Sequence, residues 1–187
     1  MPRLPRVALP WRRKEKNPEK LYGAIVAQAR LPIFYQEFGV PDTLEGRFVL
    51  LSLHLFAVLH RLKTEGTVAH DLGAGNLAQE LVDRFSEDME TVLRELGVSD
   101  LRIPKKVRGL ARSSTALLHA YEEAFGGSEQ QLIEAVGKAL PLEGERAEAV
   151  AAPLAHYLSD CVRVLEQEPY AALDAGTLRF PQLSARG

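Results

Sequence analysis

The chain reads as all-α: a single bundle of six to seven helices behind a basic N-terminal arm. Three observations lead there. Apolar residues recur at three- and four-residue spacing through most of the 187 positions, the period of one helix face. Helix punctuation, in the form of an Asn-Pro start, two capping boxes and glycine stops, falls between those runs. Aromatic residues make up only 7%, and alternating runs rich in Val, Ile and Thr are scarce, which disfavours a sheet.

Residues 1–17 form an extended arm, because Pro2, Pro5 and Pro10 break any helix and the charge run keeps it solvated. Asn17-Pro18-Glu19 then reads as a helix start, with Leu21, Ile25 and Ala29 on one face beside Tyr22 and Val26. Pro32 ends or kinks that helix, and Ile33 to Phe38 supply one more turn, closed by Gly39. Asp42 and Glu45 make a capping box for a long helix. Its apolar set is Leu44, Phe48, Leu51, Leu55, Val58 and Leu62, with further apolar residues around most of the circumference. A helix apolar nearly all round belongs at the centre of a bundle. Gly66 is expected to end it, and His70 to Asn76 to form a loop.

Leu77, Leu81, Phe85, Met89, Val92 and Leu96 mark the next amphipathic helix, which stops at Gly97. Pro104 opens another, with Val107, Leu110, Ala111, Leu117, Leu118 and Tyr121 inward, ending at Gly126-Gly127. Ser128 and Gln131 form a second capping box before a short helix to about Leu140. The last long helix spans roughly Glu145 to Glu168, where Pro153 requires a kink or a later start. Residues 18–175 are thus one helical domain, and residues 176–187 an extended tail.

The balance of charge is uneven. Residues 1–20 carry seven Lys and Arg against two Glu, whereas the whole chain has a net charge of −2. A basic arm therefore precedes an acidic body. Trp11, flanked by Arg12, Arg13, Lys14 and Lys16, suits anionic lipid at a membrane interface or ribosomal RNA. Cys161 is the single cysteine, which excludes an intrachain disulfide and a cysteine-based zinc site and fits a reducing compartment. No stretch reaches the ~18 apolar residues of a membrane span. The run Phe48–Leu59 is interrupted by Ser52 and His54. The N-terminus lacks the apolar core of a secretory signal.

Candidate chemistry is sparse. The five histidines, His54, His60, His70, His119 and His156, include no i,i+4 pair and no HExxH. His54 and His60 differ by about 240° around a helix, so they do not share a ligand. Asp83, Glu87 and Asp88 could place carboxylates on one helix for a magnesium-dependent enzyme, but they lack the dense, paired aspartate motif of such enzymes and read as a solvated face. No G-x-S-x-G elbow surrounds Ser52, Ser113 or Ser114. Gly73-Ala74-Gly75 lacks the third glycine and the preceding strand of a dinucleotide fingerprint, and reads as a loop. No catalytic residue, metal or cofactor is expected.

The run from Ile25 to Leu62 is more distinctive than its composition. Ile25-Val26-Ala27-Gln28-Ala29-Arg30, Pro32, Phe34-Tyr35, Gly39-Val40-Pro41-Asp42-Thr43, Gly46-Arg47-Phe48, Leu53-His54 and Arg61-Leu62 together resemble the first signature of the ubiquinol–cytochrome c chaperone family of cytochrome bc1 assembly factors. Phe85, Asp88-Met89, Leu93-Arg94-Glu95, Gly97-Val98, Asp100 and Lys105-Lys106-Val107 are similar to its second, and Gly176 to Pro181 to its C-terminal ending. The resemblance covers about residues 20 to 181. It departs at Ile103-Pro104, where the family carries Val-Gly, and at Ser114-Thr115-Ala116-Leu117, in place of an aromatic-Tyr-Gly-Arg stretch. If that stretch contacts a partner in relatives, the contact is lost or changed here.

The resemblance implies a non-enzymatic assembly chaperone. Its client would be newly made cytochrome b, held near the membrane and the ribosome for haem acquisition and bc1 assembly. It implies a bacterial member, cytoplasmic and peripheral to the inner membrane, since the arm is too short and too poor in serine for a mitochondrial transit peptide. A holding chaperone needs a groove rather than reactive groups. The junction from Pro32 to Arg47 is the candidate, with Arg30, Phe34, Tyr35, Phe38, Asp42 and Arg47 as partner-binding residues. Alternatively, the aromatics staple the kink and Arg30, Asp42 and Arg47 form an ion-pair network that fixes it. A helical magnesium enzyme using Asp83, Glu87 and Asp88, and an RNA- or ribosome-binding regulatory module with no role for DNA, stand as other readings.

Overall fold

The computed structural model describes residues 17–69, 72–95 and 103–183. Among them lie eight helices and no strand: α1 (Asn17–Ala29), α2 (Ile33–Gln36), α3 (Leu44–Ala69), α4 (Leu72–Glu95), α5 (Ile103–Phe125), α6 (Glu129–Ala139), α7 (Gly144–Gln167) and α8 (Tyr170–Asp174). Six are substantial helices, α2 is the single turn expected at Ile33, and α8 is a short turn that the sequence did not announce. The arm residues Trp11, Arg12, Arg13, Lys14 and Lys16 lie outside the described residues. So do His70, Leu96 and the side chains of Val107, Leu110 and Ala111.

Four local expectations are corrected. The central helix α3 runs past Gly66 to Ala69, and α4 begins at Leu72, so Gly73-Ala74-Gly75 is helical rather than a loop. Each glycine costs about 1 kcal/mol in a helix, and burial of Ala74 and Leu77 offsets that cost. At the start of α3, Thr43 Oγ1 accepts the Gly46 N–H at 3.2 Å, so Thr43 is the capping residue, because the Asp42 carboxylate is taken by Arg47 at 2.7 Å. Helix α7 begins at Gly144 with Pro153 inside it, so of the two outcomes expected there the later start is excluded. The proline forfeits one backbone hydrogen bond, but Ala151, Leu154 and Ala155 around it are buried and hold the helix in place. Finally, Leu44 is 44% exposed and not part of the core. The second capping box is as read: Ser128 Oγ accepts from Gln131 N, and Gln131 Oε1 from Ser128 N.

Helix α3 is the axis of the bundle, packed by α1, α4, α5 and α7, with α6 laid against α5 and α7. Its continuous apolar circumference is what allows four neighbours at once: from Val49 to Val58 every residue is buried. The two histidines of α3 diverge as their spacing requires. His60 turns to α5, where Nδ1 lies 3.0 Å from Glu122 Oε2, while His54 turns to α7.

His54 is fully buried and sits in a chain of hydrogen bonds. Leu50 O lies 2.7 Å from Nδ1 and, being a carbonyl, only accepts, so Nδ1 carries the proton. Nε2 then accepts from the Tyr157 hydroxyl at 2.9 Å, whose oxygen accepts from Gln28 Nε2 at 3.0 Å. Three rings pack around this pair. Phe34 lies 5.4 Å from His54 and 5.1 Å from Tyr157, Phe38 lies 6.1 Å from Tyr157, and Phe180 of the tail lies 5.3 Å from His54. Burial holds the imidazole neutral and depresses its pKa to about 4.

Arg61, one of the signature positions, closes the other end of α7. It is 8% exposed, donates from Nε to Leu165 O at 3.1 Å and from Nη2 to Glu168 O at 3.3 Å, and pairs with Glu65 at 2.7 Å. The last turn of α7 has no basic residue of its own, so Arg61 supplies the cation that the carbonyl end of a helix favours. The tail then passes back over α1. Gly176 has φ 79°, and a Cβ there would meet Lys20 Cβ at 2.7 Å, so only glycine lets the chain lie this close.

Two measurements test this core. Above about pH 6.5 His54 is neutral in both the folded and unfolded states; below it, the unfolded chain takes up a proton that the native imidazole refuses until about pH 4. Stability should therefore fall by about 3 kcal/mol on this account as pH drops through that window. Urea unfolding of His54→Gln should show a flatter acid limb, and an unchanged slope would assign it to other groups. Arg61→Leu should cost about 2–4 kcal/mol in the same assay, because the Leu165 and Glu168 carbonyls and Glu65 lose their partner.

Candidate functional site

The segment between α1 and α3 makes a tight reversal. Helix α1 frays through Arg30 and Leu31, whose amides reach Val26 O and Gln28 O at 3.2 Å, since the residue before Pro32 is held out of the helical region. One turn of α2 follows, and Val40 N closes back on Phe34 O at 3.0 Å. Pro41 then presses on the first turn of α3. A Cβ on Gly46 would lie 2.0 Å from Pro41 O, which explains why glycine stands there.

This reversal opens a groove of about 700 Å³ between the end of α1, α2, the start of α3 and the second half of α4. Its floor is apolar, with Val26, Phe48, Leu51, Met89 and Val92. Its rim carries Arg30, Tyr35, Asp42, Arg47 and Asp88. The exposed large hydrophobic residues among the described ones are Leu31 at 37% and Leu44 at 44%. Leu44 lines the groove, and Leu31 stands between two residues that do.

The rim charges are mostly engaged. Arg47 holds the Asp42 carboxyl below its ordinary range through their hydrogen bond, although both side chains are more than half exposed. Asp88 accepts the Tyr22 hydroxyl at 3.0 Å, and burial together with that carboxylate raises the Tyr22 pKa. The Tyr35 hydroxyl donates to Ala29 O at 3.3 Å, and burial and then Asp42 raise its pKa. Arg30 is exposed and makes no ion pair among the described residues.

Of the six residues expected to bind a partner, Arg30, Tyr35, Asp42 and Arg47 surround this one groove. Phe34 and Phe38 do not. Phe34 is fully buried and Phe38 packs on it at 5.4 Å, both on the His54 side. The reason is helical geometry: adjacent residues diverge by ~100°, while residues four apart share a face. The expected network of Arg30, Asp42 and Arg47 reduces to the Asp42–Arg47 pair. The α4 wall, Asp88, Met89 and Val92, was missed as part of the site. The one signal was that Asp88 and Met89 stand in the second signature, which does not disclose that α4 packs on α1.

The acidic trio on α4 does not converge. Asp83 accepts from Gln79 at 2.8 Å, Glu87 pairs with Arg84 at 3.0 Å, and Asp88 turns to Tyr22. Among the described residues no group of three or more His, Cys, Asp or Glu is placed to hold a metal ion. No helix among them is long and apolar enough to cross a membrane.

Residues 36–180 match the family described as Ubiquinol-cytochrome C chaperone. Among solved structures, the chain is similar to the Cbp3 homolog from Brucella abortus, at 36% identity and a TM-score of 0.77, with 89% of each chain covered. It is 24% identical over 122 residues to ubiquinol-cytochrome-c reductase complex assembly factor 1 of Xenopus laevis, covering 65% of this chain and 58% of that protein. With the Drosophila melanogaster protein of that name the identity is 25% over 113 residues, 60% of this chain and 43% of the other. The chain thus spans about half the length of these two relatives. Asp42, Arg47 and the α4 wall of the groove fall inside the family match, whereas Arg30 and Tyr35 precede it. A match running from α2 to the tail, on a shared all-α fold, establishes that the chain belongs to the ubiquinol–cytochrome c chaperone family, a family of chaperones and not of enzymes.

Proposed function

We propose that the protein is an assembly chaperone for the ubiquinol–cytochrome c reductase (bc1) complex, that its client is newly made cytochrome b, and that it works in the cytoplasm at the face of the inner membrane. The family and the printed names of the two assembly-factor relatives support the assembly role. The observation that carries it on this chain is the groove. An apolar floor lies open beside Leu31 and Leu44, and a protein that holds an unassembled membrane subunit needs a surface of this kind. The basic arm with Trp11, Arg12, Arg13, Lys14 and Lys16 would bring the domain to anionic lipid or to the ribosome, where a new membrane protein emerges.

Deleting the gene should lower assembled bc1 complex while leaving cytochrome b message in place. The double variant Leu31→Glu/Leu44→Glu changes two exposed side chains, so it should keep its urea midpoint. It should nevertheless lose crosslinks to the client and give several-fold less bc1 complex. Unchanged bc1 levels in the deletion would reject the proposal. Removing residues 1–16 should abolish cosedimentation with vesicles of anionic phospholipid or with ribosomes, and retention of both would return that role to the domain.

A further inference from the structure

The tail beyond Gly176 is held by its side chains and not by its backbone. It leaves α8 through amide bonds from Gly176 to Leu173 O at 2.9 Å and from Thr177 to Ala172 O at 2.8 Å. From residue 178 to residue 183 no hydrogen bond joins it to another described residue. Leu178, Phe180 and Leu183 are instead half-buried against the core, while Thr177, Arg179 and Gln182 face outward. Arg179 lies 3.6 Å from Glu168 with its own side chain 77% exposed, and such a pair adds little. The ring of Phe180 stands nearly perpendicular to His54, 5.3 Å away.

The seat beneath keeps its polar groups satisfied without the tail. Leu50 O and the Tyr157 hydroxyl serve both nitrogens of His54, and Phe34 packs on His54 and Tyr157 alike. Lifting Phe180 therefore orphans no buried donor or acceptor. Holding six residues extended costs conformational entropy, and no ladder of backbone bonds offsets it here. A segment fixed in this way opens locally before the bundle unfolds. We infer that the tail is an exchangeable self-ligand: residues 178–183 lift from the seat over His54 while the helices stay folded, and the vacated seat takes the same segment from a second copy of this chain. The second copy is the occupant because its Leu178, Phe180 and Leu183 stand at the spacing that the seat already accommodates. Exchange of an identical element requires no contact that the single chain lacks. Pro181 favours it, since the residue before a proline is held extended and the free segment is already close to its seated shape. The seat lies on the His54 side of the reversal, away from the groove, so the inference goes beyond the client reading and does not depend on it.

Limited trypsin digestion of the full chain tests the lifting. Arg179 lies within the seated segment, and when reclosing outpaces cleavage the rate of cutting follows the open population. The Arg179–Phe180 bond should be cut well ahead of Lys63, Arg84 and Arg163 in the helices, at a rate that sub-denaturing urea changes little. Phe180→Ala should raise that rate about tenfold. Cutting that appears only together with the helical sites, and with their urea dependence, overturns the inference, because tail and bundle then open as one. Exchange is read by the anisotropy of a fluorescein-labelled peptide of residues 176–187. It should bind the full-length Phe180→Ala variant about tenfold more tightly than wild type, since that variant's own tail no longer fills the seat. The same peptide carrying Phe180→Ala should not bind. Leu183→Ala in the full chain is the milder variant should Phe180→Ala lose its near-UV circular dichroism. A seat that refuses the peptide in both variants overturns the exchange. In light scattering, wild type should form a dimer at raised concentration and Phe180→Ala should not. A chain that binds the peptide yet stays monomeric overturns the second copy as the occupant.

Discussion

The hydrogen bond from the Tyr157 hydroxyl to His54 Nε2, 2.9 Å long and sealed from water, is the constraint that most of the domain is arranged around. A buried imidazole must be satisfied at both nitrogens or it becomes a liability of a few kcal/mol. Meeting that demand recruits parts of the chain far apart in sequence. Leu50 comes from the same helix, Tyr157 from α7, and Gln28 from α1 through Tyr157. Phe34 from α2 and Phe180 from the tail close the remaining sides. Burying a polar pair among rings is weaker as a source of stability than an all-apolar contact, but it permits one arrangement and penalises sliding. Helices whose apolar faces are otherwise interchangeable are set in one register by it.

The groove inherits its shape from that register. Phe34 and Tyr35 are neighbours on a four-residue helix, so anchoring Phe34 under His54 turns Tyr35 to the opposite side, toward α4. The same short segment therefore serves as a fastener on one face and a rim on the other. Gly46 and Thr43 complete the effect by bringing the chain directly from the reversal into α3, which leaves Leu44 outside the core. A surface meant to hold a client has to be apolar, yet it must not collapse onto itself. Here the walls are rigid helices, and on the rim Asp42 is held by Arg47, five residues away.

Much of the architecture was legible in the residues. Periodicity located the long helices, Pro32 and Gly39 marked the reversal, and Ser128 with Gln131 announced the cap of α6. The errors share a cause: local signals were trusted where packing decides. Glycines at 66, 73 and 75 lie within helices because buried neighbours outweigh a propensity of about 1 kcal/mol. Asp42 looked like a cap, but a long-range choice cannot be read from spacing, and Arg47 claimed it. At the site, the reversal was read from its proline and glycine, and Arg30, Tyr35, Asp42 and Arg47 gather at one groove, whereas Phe34 and Phe38 pack on the His54 side. The α4 wall was out of reach, since contact between α1 and α4 spans more than sixty residues (Tyr22 with Asp88) and leaves no mark on either stretch alone.

The path of the tail carries a consequence for how the protein is made. Gly176 rests on Lys20, and Phe180 covers a histidine encoded over a hundred positions earlier. Until residue 180 has left the ribosome, His54 lacks one of its walls, and the first helix lacks the strand of chain that lies across it. Contacts of such sequence separation form late, because loop closure has to precede them. During synthesis the bundle is therefore an unfinished vessel, open at its aromatic centre, and the extended tail that carries Phe180 acts as a latch. A chaperone so built closes its centre only after residue 180 has emerged, which separates the folding of its helices in time from the sealing of the core they share.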